Sequence, residues 1–180
     1  MFNLYNSLMS ANTFDSGSTC TSILATPNHF FFANVGDSRS ILVNRNTVRF
    51  ETKDHKPCDP HERQRITRHG GYIQMNRVNG NLALSRAFGD FFLKRNTSGM
   101  VFQRNYNQLQ QPVIAQPTVT IVERDHKHDQ FLMLACDGVT DVFQTKQLID
   151  YTISRFKVTP NLKDVVNDII DATFARGNYS

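Results

Sequence analysis

The chain has 180 residues, 39% of them hydrophobic and 20% charged, enough for one ordinary domain with a buried core. Its three cysteines, Cys20, Cys58 and Cys136, are widely spaced with no Cys-x-x-Cys pair, which argues against a disulfide framework and a zinc site. The net charge of +4 comes from single Lys and Arg residues scattered through residues 1–105, so it reads as a solvated surface suited to a phosphorylated protein partner and not as a nucleic-acid stripe.

Residues 1–15 lack both a basic start and a sustained apolar stretch, so they read as an N-terminal extension or remnant and not as a signal peptide. No apolar run approaches the length of a membrane span. A soluble protein of the cytoplasm or nucleus, with no membrane partner, is the expectation. After Gly17, "TSILAT" (21–26), "HFFFANV" (29–35) and "SILVN" (40–44) predict short strands in antiparallel hairpins, with turns at Pro27-Asn28 and Gly36-Asp37-Ser38. The stretch "CDPHERQRITRHGG" predicts one helix with Asp59 as N-cap, Pro60 at its first position and Gly70 closing it. Residues 71–84 predict two brief strands turning at Asn79-Gly80. Residues 95–112 read as a loop, and strands resume at 118–123 and 130–136. Two amphipathic helices follow. Leu148, Ile149, Ile153 and Phe156 mark the first, over 145–157 with Thr145 as its cap. Leu162, Val165, Val166, Ile169, Ile170 and Phe174 mark the second, over 160–176 and ended by Gly177. Strands first and helices last predict an α+β layered domain.

Within that pattern, Phe131 to Cys136 are apolar without a break, predicting a buried strand, and Asp137 and Asp141 follow four apart around Gly138. If residues 138–142 turn helically, both carboxylates face one side, with Gly138 letting the backbone turn. Asp37 ends another apolar strand, "FFFANVGDSR", so neighbouring strands would bring three carboxylates to one sheet edge. Two bare carboxylates ~5 Å apart repel by about 3 kcal/mol at an effective dielectric of 20, so such a cluster calls for a cation or a raised pKa. Oxygen donors without His or Cys suit Mg²⁺ or Mn²⁺ better than zinc. The alternative is that each Asp caps a turn or helix. No Arg stands six residues after any cysteine, so a cysteine-phosphatase loop is absent, as is the G-x-x-x-x-G-K loop of NTPases.

Taken together, "SGST" (16–19), "FFANVGDSRSILV" (31–43), "DHKP" (54–57), "RITRHGG" (65–71), "RVNGNLALSRAFGD" (77–90) and "ACDGVTD" (135–141) resemble, in order, the motifs of the metal-dependent serine/threonine phosphatases of the protein phosphatase 2C family. The resemblance runs from about Ser16 to Gly177, and the helical end is most similar to the animal alpha and beta forms. It implies a fold that is α+β, a partial four-layer α-β-β-α sandwich of two antiparallel sheets flanked by helices, occupying residues 16–180. It also implies hydrolysis of phosphoserine and phosphothreonine in phosphorylated proteins by a water activated between two Mg²⁺ or Mn²⁺ ions. Asp137 corresponds to the ligand shared by the metal pair and an outer third metal, and Asp37 and Asp141 to further ligands of that third site. Residues from about 57 to 90 correspond to the flap beside the active site. Arg86 lies there as a candidate for substrate binding, with a structural ion-pair role as its alternative.

Other family features have no counterpart. The early Glu, the phosphate-binding Arg and the Asp-Gly-His-Gly stretch with the proposed general acid are absent, and the chain stops at Ser180, about where a further Asp ligand would fall. Thr140 stands where the family usually has Trp, removing packing beside Asp141. No catalytic residue is therefore assigned. The expectation is an incomplete phosphatase domain, read from a longer protein and inactive alone. The alternative is a catalytically inactive pseudophosphatase that binds proteins.

Overall fold

A computed structural model of the protein describes residues 16–94 and 107–177, and these divide into two units. In chain order the elements are β1 (Gly17–Ser18), β2 (Cys20–Ala25), β3 (His29–Val35), β4 (Arg39–Asn44), β5 (Thr47–Glu51), α1 (Pro60–Arg68), β6 (Ile73–Gln74), β7 (Arg77–Val78), β8 (Phe88–Gly89), a 3₁₀ turn (Phe91–Leu93), β9 (Thr118–Glu123), β10 (Asp129–Ala135), α2 (Asp137–Thr140), α3 (Thr145–Phe156) and α4 (Leu162–Gly177). The predicted loop over 95–112 falls largely on residues 95–106, outside the described residues. Among the described residues no helix is long and apolar enough to cross a membrane.

The first unit contains Val35–Asp37 and Asp54–Thr118. Its helix α1 starts as its sequence dictates: Asp59 Oδ1 accepts from the His61 N–H at 3.0 Å, Pro60 takes the first helical position, and Gly70 leaves with φ +85°. Ile66 points from α1 into a small core with Val78, Ala87, Leu93 and Val113. The β6–β7 hairpin reverses at Met75-Asn76, not at Asn79-Gly80, and both Met75 and Asn76 adopt left-handed backbone. Asn79-Gly80 makes a second turn directly after it, closed by the Val78–Leu82 bridge.

The second unit holds two three-stranded sheets, ordered β10-β4-β5 and β2-β3-β9. Strand alternation places their side chains. Leu42 of β4 faces Phe30 and Phe32 of β3, filling the space between the sheets together with Ile23, Phe50, Val122 and Leu132. Ile41 and Val43, on the other face of β4, pack with Phe143, Leu148 and Ile149 and with Val165 and Ile169 of α4. The helices thus cover one sheet, and the second unit forms sheet, sheet and helix layers of the expected sandwich. The outer face of β2-β3-β9 exposes Leu24, Val119 and Ile121.

Three expectations are corrected here. The turn Gly36-Asp37-Ser38 joins strands of different sheets, so β3 and β4 are not a hairpin; β4 instead pairs with β5, a strand absent from the sequence reading, through a left-handed Arg45-Asn46 turn. Among the described residues strand β10 is the edge of its sheet and only half-buried, with Leu134 exposed, because none of them forms a strand on its other side. Thr145 does not cap α3. It is the first helical residue, and its hydroxyl donates to Glu51 Oε2 and accepts from Arg39 Nη1.

Candidate functional site

The predicted helical turn after β10 is present. Cys136 is extended, α2 begins at Asp137, and the Asp141 N–H donates to the Asp137 carbonyl at 2.8 Å. Residues four apart on a helical turn share a side, so the structure brings Asp137 and Asp141 together as two exposed carboxylates. Asp137 Oδ1 accepts from the Gly138 N–H at 2.9 Å. The role expected of Gly138 is not borne out: its backbone is helical, and an added Cβ would meet only Cys136 Sγ at 3.7 Å. Helix geometry, not glycine, makes this turn.

Asp37 lies in the first unit and is buried, with Lys56 Nζ 2.5 Å from its Oδ2. Its backbone position is fixed by Gly36, where φ is +99° and a Cβ would meet Thr19 Cγ2 at 2.4 Å. The loop carrying Lys56 is tied to the same point by His55. The Gly36 N–H donates to His55 Nδ1 at 3.1 Å and the His55 N–H donates to the Gly36 carbonyl at 3.0 Å. Because Nδ1 accepts, Nε2 carries the ring proton and donates to Thr118 Oγ1 at 2.9 Å. In "DHKP" (54–57) three consecutive polar residues before a proline carry no signal that the second is buried or that the third pairs with Asp37.

Burial, assisted by the nearby Arg86 charge, lowers the His55 pKa to about 4. Between that value and the unfolded one near ~6.5 the unfolded chain binds the extra proton, so stability is present above the upper limit and is lost as pH falls. The expected outcome is a loss of about 3 kcal/mol between neutrality and pH ~4. Denaturant midpoints measured across that range for the wild type and His55→Gln check it, since the variant must lose this part of the dependence.

Arg86 is turned inward. Its Nη2 donates to Glu62 Oε1 at 2.6 Å, its Nε to both Glu62 oxygens at 3.1 Å, and its Nη1 to the Gln116 carbonyl at 3.0 Å. Glu62, 3% exposed, also accepts from Arg65 Nη1 and Ser85 Oγ, each at 2.6 Å. With every guanidinium nitrogen donating to a protein acceptor, the geometry matches the structural ion-pair alternative rather than a phosphate site. Glu62, absent from the sequence reading, is the centre of this network; its i,i+3 spacing to Arg65 on α1 was the one signal available.

Among the described residues no group of three or more His, Cys, Asp or Glu side chains could hold a metal ion. The donors present therefore do not by themselves fit the metal pair implied by the family resemblance. Asp137 and Asp141 offer two exposed carboxylates, while Asp37 has a lysine ammonium as its counter-ion.

The family model for Protein phosphatase 2C matches residues 3–180, and the chain belongs to that family. It is 41% identical to Protein phosphatase 1A of Homo sapiens over 163 residues, 91% of this chain and 41% of that protein. It is 39% identical to Protein phosphatase 1B of Homo sapiens over 163 residues, 91% of this chain and 32% of that protein. Among solved structures, a phosphatase from a pathogenic strain of Toxoplasma gondii superposes with a TM-score of 0.73 at 32% identity, over 82% of this chain and 44% of that one. The chain thus spans less than half the length of these relatives.

Proposed function

We propose that this chain is part of the catalytic domain of a protein serine/threonine phosphatase that hydrolyses phosphoserine and phosphothreonine in protein substrates and depends on Mg²⁺ or Mn²⁺. The observation that carries the proposal is the Asp137–Thr140 turn, which presents Asp137 and Asp141 one helical turn apart in a chain of this family. In this proposal Asp137 and Asp141 of the second unit contribute metal ligands, as does Asp37 of the first, and the rest of the donors lie in sequence that the longer relatives carry outside the matched part. The three free cysteines, all exposed, support a reducing compartment such as the cytoplasm or nucleus.

A second reading, a non-catalytic protein-binding module, is favoured by the Lys56 ammonium held on Asp37 and by the fully engaged Arg86. An exchange experiment separates the two. The isolated chain is expected to show no Mn²⁺-dependent turnover of a phosphothreonine peptide. Substituted for the matching segment of human Protein phosphatase 1A, it is expected to support turnover that EDTA and Asp137→Asn each abolish. A folded but inactive exchange protein would leave the non-catalytic reading, and turnover by the isolated chain would contradict the proposed ligand shortage.

A further inference from the structure

Helix α4 carries two apolar faces. Val165, Ile169 and Ala172 pack into the core beneath β4 and β10. Leu162, Val166, Ile170 and Phe174 form a second stripe at four-residue spacing, and they remain 66%, 51%, 42% and 69% exposed. Four large apolar side chains in one row on a 16-residue helix are the kind of ridge that packs into a facing helix. The stripe is bordered one residue further on by Lys163, Asn167 and Asp171, all exposed.

We propose that this stripe docks a second copy of the chain, α4 against α4, antiparallel about a two-fold axis between residues 167 and 168. The residue pattern is self-complementary in that arrangement. Leu162 faces Phe174 of the second copy and Val166 faces Ile170, so each pair joins a larger side chain to a smaller one. On the border, Lys163 meets Asp171 of the second copy, Asn167 meets Asn167, and Asp171 meets Lys163. A parallel pair about a two-fold axis would carry the two borders to opposite sides of the contact, so neither Lys163 nor Asp171 would meet an opposite charge. A border carrying one charge of each sign also lacks the single-signed character that a strongly acidic or basic partner would need. Four side chains per copy bury less than the ~800 Å² per partner of a standard interface, so the dimer is weak and concentration-dependent.

Sedimentation of the full 180-residue chain over two decades of concentration tests this. A monomer–dimer equilibrium is expected, and Val166→Glu, on an exposed position that leaves the core intact, is expected to abolish it without moving the melting temperature measured at concentrations where the wild type is monomeric. Lys163→Asp alone is expected to weaken association by about fivefold, because each rim pair occurs twice in the dimer. Adding Asp171→Lys in the same chain is expected to restore it. A chain that stays monomeric, one that forms open-ended oligomers, a dimer indifferent to Val166→Glu, or a double variant no tighter than the single one would each overturn the proposal. In the Val166→Glu case, the exposed face with Leu24, Val119 and Ile121 would be the surface responsible.

Discussion

Replacing Glu62 by Gln is expected to cost about 3–5 kcal/mol of folding stability, the range for breaking a buried ion-pair network by removing one partner. Glu62 is the only carboxylate in its network, and it accepts from Arg65, Ser85 and Arg86 while almost wholly buried. Gln keeps the volume but leaves two guanidinium groups facing a neutral amide whose NH₂ repels them. The same network predicts acid behaviour. Burial by itself would raise the Glu62 pKa, but hydrogen bonds from Arg86 and Ser85 and the Arg65 charge outweigh it and lower the value to about 2. A carboxylate depressed on folding contributes stability that is present above its unfolded pKa of ~4.3 and lost as pH falls towards the folded value. Acid loss of stability should therefore have two stages, the upper one from His55 and the lower from Glu62. Urea titrations at neutral and acid pH check both parts, and a Glu62→Gln variant within about 1 kcal/mol of wild type would mean that the arginines find other partners.

Phe32→Ala is expected to cost about 3–5 kcal/mol. Phe32 is fully buried between the two sheets, with its ring centroid 4.6 Å from that of Phe50 and 6.2 Å from that of Phe30. These three rings come from strands in both sheets, so truncating the central one opens a cavity where the sheets meet. Thermal melts of Phe32→Ala beside Val119→Ala, whose side chain is largely exposed, provide the contrast: a large fall in the first and a small one in the second.

The parts of the fold legible in the sequence were those with a local cause. The Asp59 cap, Pro60 and Gly70 delimited α1 because capping and backbone restriction act within one turn. The four-residue and three-residue spacing of apolar side chains located α3 and α4. What remained hidden depended on tertiary partners. Arg45-Asn46 and Met75-Asn76 turn with left-handed non-glycine residues, a conformation that neighbouring strand pairing sustains and that a search for Asn-Gly overlooks. The continuous apolar run of β10 suggested burial, yet burial depends on which strands lie beside it, and among the described residues β10 is an edge. At the site, the four-residue spacing of Asp137 and Asp141 was sufficient to place them on one turn. Arg86 read as an ion-pair donor ahead of a substrate ligand, but its partner, Glu62, was not legible, and Lys56 gave no sign of its contact with Asp37.

The most direct test of the account is calorimetric titration of Mn²⁺ into the isolated chain and its Asp137→Asn variant. At most one weak site is expected, drawing on Asp137 and Asp141, and it should vanish in the variant. Two tight sites, or a site unchanged by Asp137→Asn, would contradict the claim that this chain carries only part of the metal-binding machinery of its family.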